Sequence, residues 1–131
     1  MSVFSVIGIA GSGATVYRKW LDAVSDNIAN LNTVRPTSEA AYQEQRVIAE
    51  PMPGGGVQVA GTTVSGSPEG KLVYEPNHPL ADAQGYVRYP DIDLSSEMTQ
   101  LIMAQRGYQA NLSSVDRARE AYQAALQLGR G

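Results

Sequence analysis

The chain has 131 residues, of which 43% are hydrophobic and 18% charged, and its formal net charge is -3. This length accommodates one modest domain, and the hydrophobic content excludes global disorder. Without clustered Lys and Arg, the chain lacks the electrostatic footprint of a nucleic-acid-binding protein. The absence of cysteine excludes disulfides, thiolate metal sites and cysteine nucleophiles.

No sequence signal marks the chain for a membrane or for a cleaved secretory leader. No apolar run reaches about 18 residues, so no membrane span is predicted. A leader needs positive charge before its apolar stretch, whereas the first basic residue of this chain is Arg18. If the protein is exported, we expect a route that does not cleave a conventional signal.

Proline divides the chain into three predicted parts: an N-terminal helix in residues 1–34, a central turn-rich module in residues 35–92 and a C-terminal helix in residues 93–131. Six of the seven prolines lie between residues 51 and 90. Because proline removes a helical hydrogen bond and clashes with the preceding turn, long helices are possible only at the two ends.

Both predicted helices carry apolar residues at heptad spacing, which is typical of helices packed as a coiled-coil-like pair. The N-terminal series are Ile7, Ala14, Leu21 and Ile28, and Ala10, Tyr17, Val24 and Leu31. The C-terminal series is Leu94, Leu101, Tyr108, Val115 and Tyr122, with Met98, Leu112 and Leu126 on the same side. One hairpin partner covers such series incompletely, so we expect helices of neighbouring copies to complete them and the isolated chain to be only partly folded.

Amide side chains accompany the apolar series. Asn27, Asn30 and Asn111 belong either to an ordinary solvated face or to hydrogen bonds between packed helices that fix their register. We include these three residues in the predicted assembly interface. Leu101 and Tyr108, one heptad apart, are expected to lie in a packed helical interface.

The C-terminal helix has local signals at its ends and one irregularity inside. Asp93 or Ser95 is predicted to cap its start, and Gly129 to end it. Gly107 is the only glycine between these ends, and a helical glycine costs about 1 kcal/mol relative to alanine. If nothing packs against its backbone, Gly107→Ala is expected to stabilise the assembled form by about 0.4–1 kcal/mol.

The central part is predicted to form a small β-hairpin module. Residues 57–59 and 62–64 alternate weakly, and Lys71–Tyr74 is a stronger strand candidate. Residues 54–56, all glycine, are predicted to be a flexible connector, and residues 76–79 have turn chemistry. The predicted fold class is therefore mainly α, with a small β insertion between long N- and C-terminal helices.

Two features imitate ligand sites but lack the residues that the chemistry needs. Gly8, Gly11 and Gly13 resemble a phosphate-binding run, but no Lys follows Gly13, and Val16 stands where a dinucleotide fingerprint needs Gly or Ala. The only histidine, His78, lacks the two or three further ligands that zinc usually requires. No nucleophile elbow is present. We therefore expect no enzyme activity, no nucleotide, no metal and no other cofactor.

Three motifs, in order along the chain, resemble one protein family. Residues 12–14 and 24–33, which include the sequence Asn-Ile-Ala-Asn, resemble the N-terminal signature of bacterial flagellar axial proteins (rod, hook and hook-associated subunits). Residues 72–93, LVYEPNHPLADAQGYVRYPDID, resemble the central motif of one rod subunit, the proximal one, and residues 97–111 are similar to the C-terminal helix motif of that family. One departure is Val-Arg-Pro at residues 34–36, where the family usually has Pro-Gly-Tyr.

The resemblance is to the bacterial flagellar basal-body rod protein family, closest to its proximal rod subunit. It implies export by the flagellar type III apparatus without cleavage, location in the basal body, and assembly through the terminal helices into the rod around the export channel. The implied partners are copies of the chain and other rod or axial proteins. The alternative expectation is a non-flagellar secreted or adaptor protein built on the same helical hairpin.

Overall fold

A computed structural model describes residues 2–131. Its elements, in chain order, are α1 (Val3–Ala29), β1 (Glu44–Pro51), β2 (Val57–Ser65), β3 (Lys71–Tyr74), β4 (Tyr86–Tyr89) and α2 (Leu94–Gly129). The predicted fold class is confirmed, because two long helices stand at the ends and a small β module lies between them in the sequence. Within residues 2–131, no helix combines the length and apolar character needed to cross a bilayer.

Local capping explains where the helices begin. Asp93 accepts a hydrogen bond at its Oδ2 from Ser96 N at 3.0 Å, which confirms Asp93 as the cap of α2. Ser2 plays the same part for α1, since its Oγ accepts from Ser5 N at 3.1 Å. α2 ends at Gly129, as its sequence predicts.

The four strands form two separate two-stranded sheets, β1 with β2 and β3 with β4. β3 was predicted with its observed bounds, and the two weak segments at 57–59 and 62–64 belong to one continuous strand, β2. β4 pairs antiparallel with β3 and is extended on its other edge by Arg35, which exchanges two backbone hydrogen bonds of 2.9 Å with Arg88. The stretch that departs from the family pattern, residues 34–36, is therefore anchored by this bridge.

The glycine run predicted as a connector between β1 and β2 forms a tight turn. Gly54, Gly55 and Gly56 have φ values of 89°, 106° and 93°, a region that L side chains rarely adopt. Val57 N then donates to Ser12 Oγ on α1 at 3.1 Å. The glycines are needed for the backbone conformation and for the close approach to α1.

The chain divides into two compact units. The first unit comprises residues up to Leu21, Val47–Gly61 and Ile102–Gly131, and the second comprises Asp22–Arg46 and Thr62–Leu101. The buried apolar residues of the first unit are Ala10, Ala14 and Ala104; those of the second are Ala23, Val24, Ala41, Val87 and Ile92. The three-part domain division made from the sequence stays a prediction.

Candidate assembly surface

Small residues bring α1 and α2 together in the first unit. Gly13 lies beside Asn111, so that a Cβ built on Gly13 would come within 2.9 Å of Asn111 Cγ. One turn further along α1, Tyr17 lies beside Gly107, so the helices run antiparallel. Asn111 also donates from Nδ2 to Gly107 O at 2.8 Å. Glycine at these two positions allows the backbones to approach more closely than larger residues would.

Gly107 is a packing residue, which corrects the expectation that alanine would stabilise the helix. A Cβ at position 107 would overlap the ring of Tyr17, whose Cδ1 would lie only 2.6 Å away. Overpacking of this kind costs about 1–3 kcal/mol, more than the helical gain of about 1 kcal/mol. We therefore expect Gly107→Ala to lower the free energy of unfolding, measured by urea denaturation followed by circular dichroism.

Two comparisons isolate this clash. Gly11 also lies inside a helix, but a Cβ at position 11 would meet nothing within 4 Å, so Gly11→Ala should raise stability by about 0.4–1 kcal/mol. In a Tyr17→Ala background the penalty of Gly107→Ala should disappear. A stabilising effect of Gly107→Ala in the unaltered chain would contradict the close contact.

Asn27 organises the second unit, where α1, β1 and α2 meet. It is 1% exposed, and its Nδ2 donates to Gln45 O and to Glu97 Oε2, both at 3.0 Å. Its Oδ1 accepts from Gln45 N at 2.8 Å and from the hydroxyl of Tyr42 at 3.1 Å. The amide thus joins the two helices to the start of β1, which matches the register-fixing alternative considered for the asparagines.

Glu97 is the other buried polar side chain of this unit, and it was not among the predicted site residues. It is 1% exposed, and burial raises the pKa of its carboxyl above the usual range, an effect partly offset by the Asn27 hydrogen bond and reinforced by Glu44. Burial, followed by the charges of Asp26 and Glu97, also raises the pKa of Tyr42. The unit therefore holds a concentrated polar cluster inside its helix contact.

The predicted interface residues divide into three groups by exposure. Ala14, Val24 and Asn27 are buried within the chain itself. Ile7, Tyr17, Leu21, Ile28, Asn30, Leu101, Tyr108, Asn111 and Val115 are half-buried, and Leu94, Met98, Leu112 and Tyr122 are exposed. A charge at Leu101 would consequently test the fold of the chain as much as its assembly, whereas the exposed group is free to contact another molecule.

The face of α2 that packs within the chain differs from the predicted face in one of its two heptad series. Leu101, Tyr108 and Val115 contribute to it as expected, but Met98 and Leu112 lie outside it. In their place is a heptad series of acidic, small and amide residues, namely Glu97, Ala104, Asn111 and Ala118. The seven-residue spacing of this series was a signal in the sequence, but a search restricted to large apolar residues passes over it.

Large apolar side chains remain exposed on α2 in both units. In the second unit Leu94 is 47% and Met98 43% exposed, and the two lie one helical turn apart. In the first unit the exposed large apolar residues of α2 are Ile102, Met103, Leu112, Tyr122, Leu126 and Leu128. Every residue from 119 to 131 is exposed, although Tyr122 still contacts Phe4 of α1 at a ring-centroid distance of 5.4 Å.

The glycine run and the histidine that resemble ligand sites in the sequence belong to ordinary secondary structure and turns. Gly8, Gly11 and Gly13 lie within α1 rather than in a loop. His78 accepts a hydrogen bond at Nδ1 from Leu80 N at 3.1 Å, as a turn residue. Across residues 2–131, no group of three or more His, Asp or Glu side chains is arranged to hold a metal ion.

Comparison with known proteins assigns the family. A family model described as "Flagella basal body rod protein" matches residues 7–37, and one described as "Flagellar basal body rod FlgEFG protein C-terminal" matches residues 83–128. The flagellar basal-body rod protein FlgC of Salmonella typhimurium is 37% identical over 98% of this chain and 99% of its own length. The chain belongs to the FlgC family of flagellar basal-body rod proteins.

Other FlgC proteins match over their whole length. That of Borreliella burgdorferi is 34% identical over 100% of both chains, and that of Bacillus subtilis is 28% identical over 99% of this chain and 100% of its own. The family resemblance inferred from the motifs is confirmed. The predicted function, a structural subunit of the flagellar basal-body rod, is confirmed with it. The non-flagellar adaptor considered as the alternative is not favoured.

Proposed function

We propose that this FlgC-family chain is a purely structural subunit that assembles through the outward faces of its terminal helices into the axial shaft around the export channel. Its partners are copies of itself and other rod or axial proteins, and it reaches the rod through the flagellar type III export apparatus. No catalytic step, cofactor or metal is part of this role.

The exposed side chains of α2 are the observation that carries the proposal. Leu94 and Met98 remain about half exposed after the chain has folded. Full burial of an apolar side chain of this size contributes about 1.5–3 kcal/mol. Because these two side chains are only partly buried in the chain, a neighbouring subunit that covers them gains part of this free energy on assembly.

The fully exposed end of α2 supports the same proposal. Residues 119–131 contain Leu126 and Leu128, the latter 84% exposed. Long helices owe most of their stability to packing of an apolar face rather than to propensity. A helix end whose apolar side chains are this exposed is stabilised when another subunit packs against it.

Photo-cross-linking in assembled basal bodies tests the proposed surface. A photoreactive phenylalanine analogue at position 98 should give covalent adducts with a second copy or with another rod protein. The same analogue at Thr99, which is exposed in the same turn but lies on another side of the helix from Leu94 and Met98, serves as the control. Adducts from position 99 but none from position 98 would contradict the assignment.

A further inference from the structure

A groove in the first unit lies between α1 and the start of β2. Its volume is about 320 Å³, and its apolar lining residues are Val16, Met52, Val57 and Val59. The hydrogen bond of 3.1 Å from Val57 N to Ser12 Oγ holds this part of the chain on α1, so both walls are fixed before any partner arrives. An apolar cavity of about 150 Å³ accepts a benzene molecule, so the groove has room for a large apolar side chain.

One cation borders the groove. Lys19 of α1 also lines it, and the other lining residues are uncharged. Lys19 is exposed, and among residues 2–131 it forms no salt bridge. A segment that complements the groove therefore combines a large apolar side chain with an acidic one.

The second half of α2 contains one such segment. Leu112 is 41% exposed, and the exposed Asp116 follows it by one helical turn, so the two side chains lie on the same side of the helix. In the part of the chain that the structure describes, Asp116 has no salt bridge either. The other exposed acid of α2 is Glu120, and no large apolar residue lies three or four positions from it.

Lys19 and Asp116 of one copy are too far apart to meet. Tyr17 lies beside Gly107 in the antiparallel helix pair, so Lys19 is level with a residue near position 105 of α2. Asp116 is about 11 residues further along, which is about 16 Å at the helical rise and beyond the reach of the two side chains. A partner for Lys19 with this pattern must come from another molecule.

We propose that the groove receives α2 of a second copy of this chain, with the Leu112 side chain between α1 and β2 and the Asp116 carboxylate against the Lys19 ammonium. This inference rests on the proposed assembly function and names two of the surfaces that meet. Because the surfaces differ, each copy offers a groove to one neighbour and a helix to another. Head-to-tail contacts of this kind repeat to give rings or open helical assemblies, as a shaft requires.

Charge reversal tests the pairing by complementation of a strain lacking this gene. Lys19→Glu and Asp116→Lys should each lower the yield of complete basal bodies and reduce swimming, because like charges then face each other across the contact. The double variant restores opposite charges and should recover most of the loss. Both residues are exposed, so circular dichroism of the purified variants should match the wild type.

The matched control combines Lys19→Glu with Glu120→Lys, which reverses the other exposed acid of α2 and should recover nothing. Normal swimming of both single variants would overturn the pairing. So would a Lys19→Glu, Asp116→Lys variant that performs no better than Lys19→Glu alone, or recovery by Glu120→Lys in its place.

Photo-cross-linking separates this pairing from the proposed function. A photoreactive phenylalanine analogue at position 112 should give adducts that mass spectrometry maps to residues 52–59 of a second copy, and the analogue at the exposed Ser113 is the control. If position 98 gives adducts with another subunit but position 112 gives none with this segment, assembly through the helices stands and the groove pairing is wrong. If position 98 gives none, the proposed function itself fails.

Discussion

A subunit carrying Met98→Asp is expected to fold but to be excluded from the rod, so that cells depending on it do not swim. Met98 is exposed in the folded chain, and a charge there meets water, with little effect on the fold. In an assembled helix contact the same carboxylate would be desolvated without a partner, which is strongly unfavourable. The measurement is complementation of a strain lacking this gene, scored for swimming and for complete basal bodies.

Thr99→Asp is the matched control for this experiment. It places the same charge in the same turn of α2, on another exposed side of the helix, and removes only a hydroxyl bond to Ser95 O. Circular dichroism of both purified variants should match the wild type. If Met98→Asp restores normal swimming, the Leu94 and Met98 side of α2 is not an assembly surface.

Asn27→Ala is expected to lower the free energy of unfolding by about 3 kcal/mol or more. The substitution removes four hydrogen bonds and leaves Gln45, Tyr42 and Glu97 with unpaired groups in a buried site. Each buried polar group left without a partner costs about 1–3 kcal/mol. Urea denaturation of the isolated chain measures this loss.

The control for Asn27→Ala is Asn32→Ala, at an exposed position just beyond α1, where a change within about 0.5 kcal/mol is expected. The two variants together also decide between two roles of Asn27. An Asn27→Ala chain of normal stability that fails to assemble would show that Asn27 acts between subunits, contrary to its hydrogen bonds in this structure.

The helices could be predicted from the sequence because their determinants are local. The absence of proline fixes where long helices can exist, and Asp93 supplies a cap that needs no distant partner. The apolar heptad spacing, which is also a local property, correctly placed Leu101, Tyr108 and Val115 on the packed side of α2. The absence of proline and the regular spacing of apolar residues are properties of a single helical segment. They can therefore be read from the sequence without knowing which other segments pack against it.

Features that depend on distant partners could not be predicted in the same way. β4 is a strand because β3 and Arg35 pair with its two edges. Glu97 resembles any solvent-facing helical glutamate until Asn27, 70 positions away in the sequence, is seen to bind it. The cost of a helical glycine is a local property, but only the ring of Tyr17 explains why Gly107 is needed.

Electron cryo-microscopy of basal bodies that contain this chain tests assembly through the terminal helices most directly. At side-chain resolution, we expect Leu94 and Met98 to be buried by a helix of another subunit and residues 119–129 to remain helical against a neighbour. A map in which these side chains face solvent, while the contacts between subunits run only through the β3–β4 hairpin, would contradict this mode of assembly.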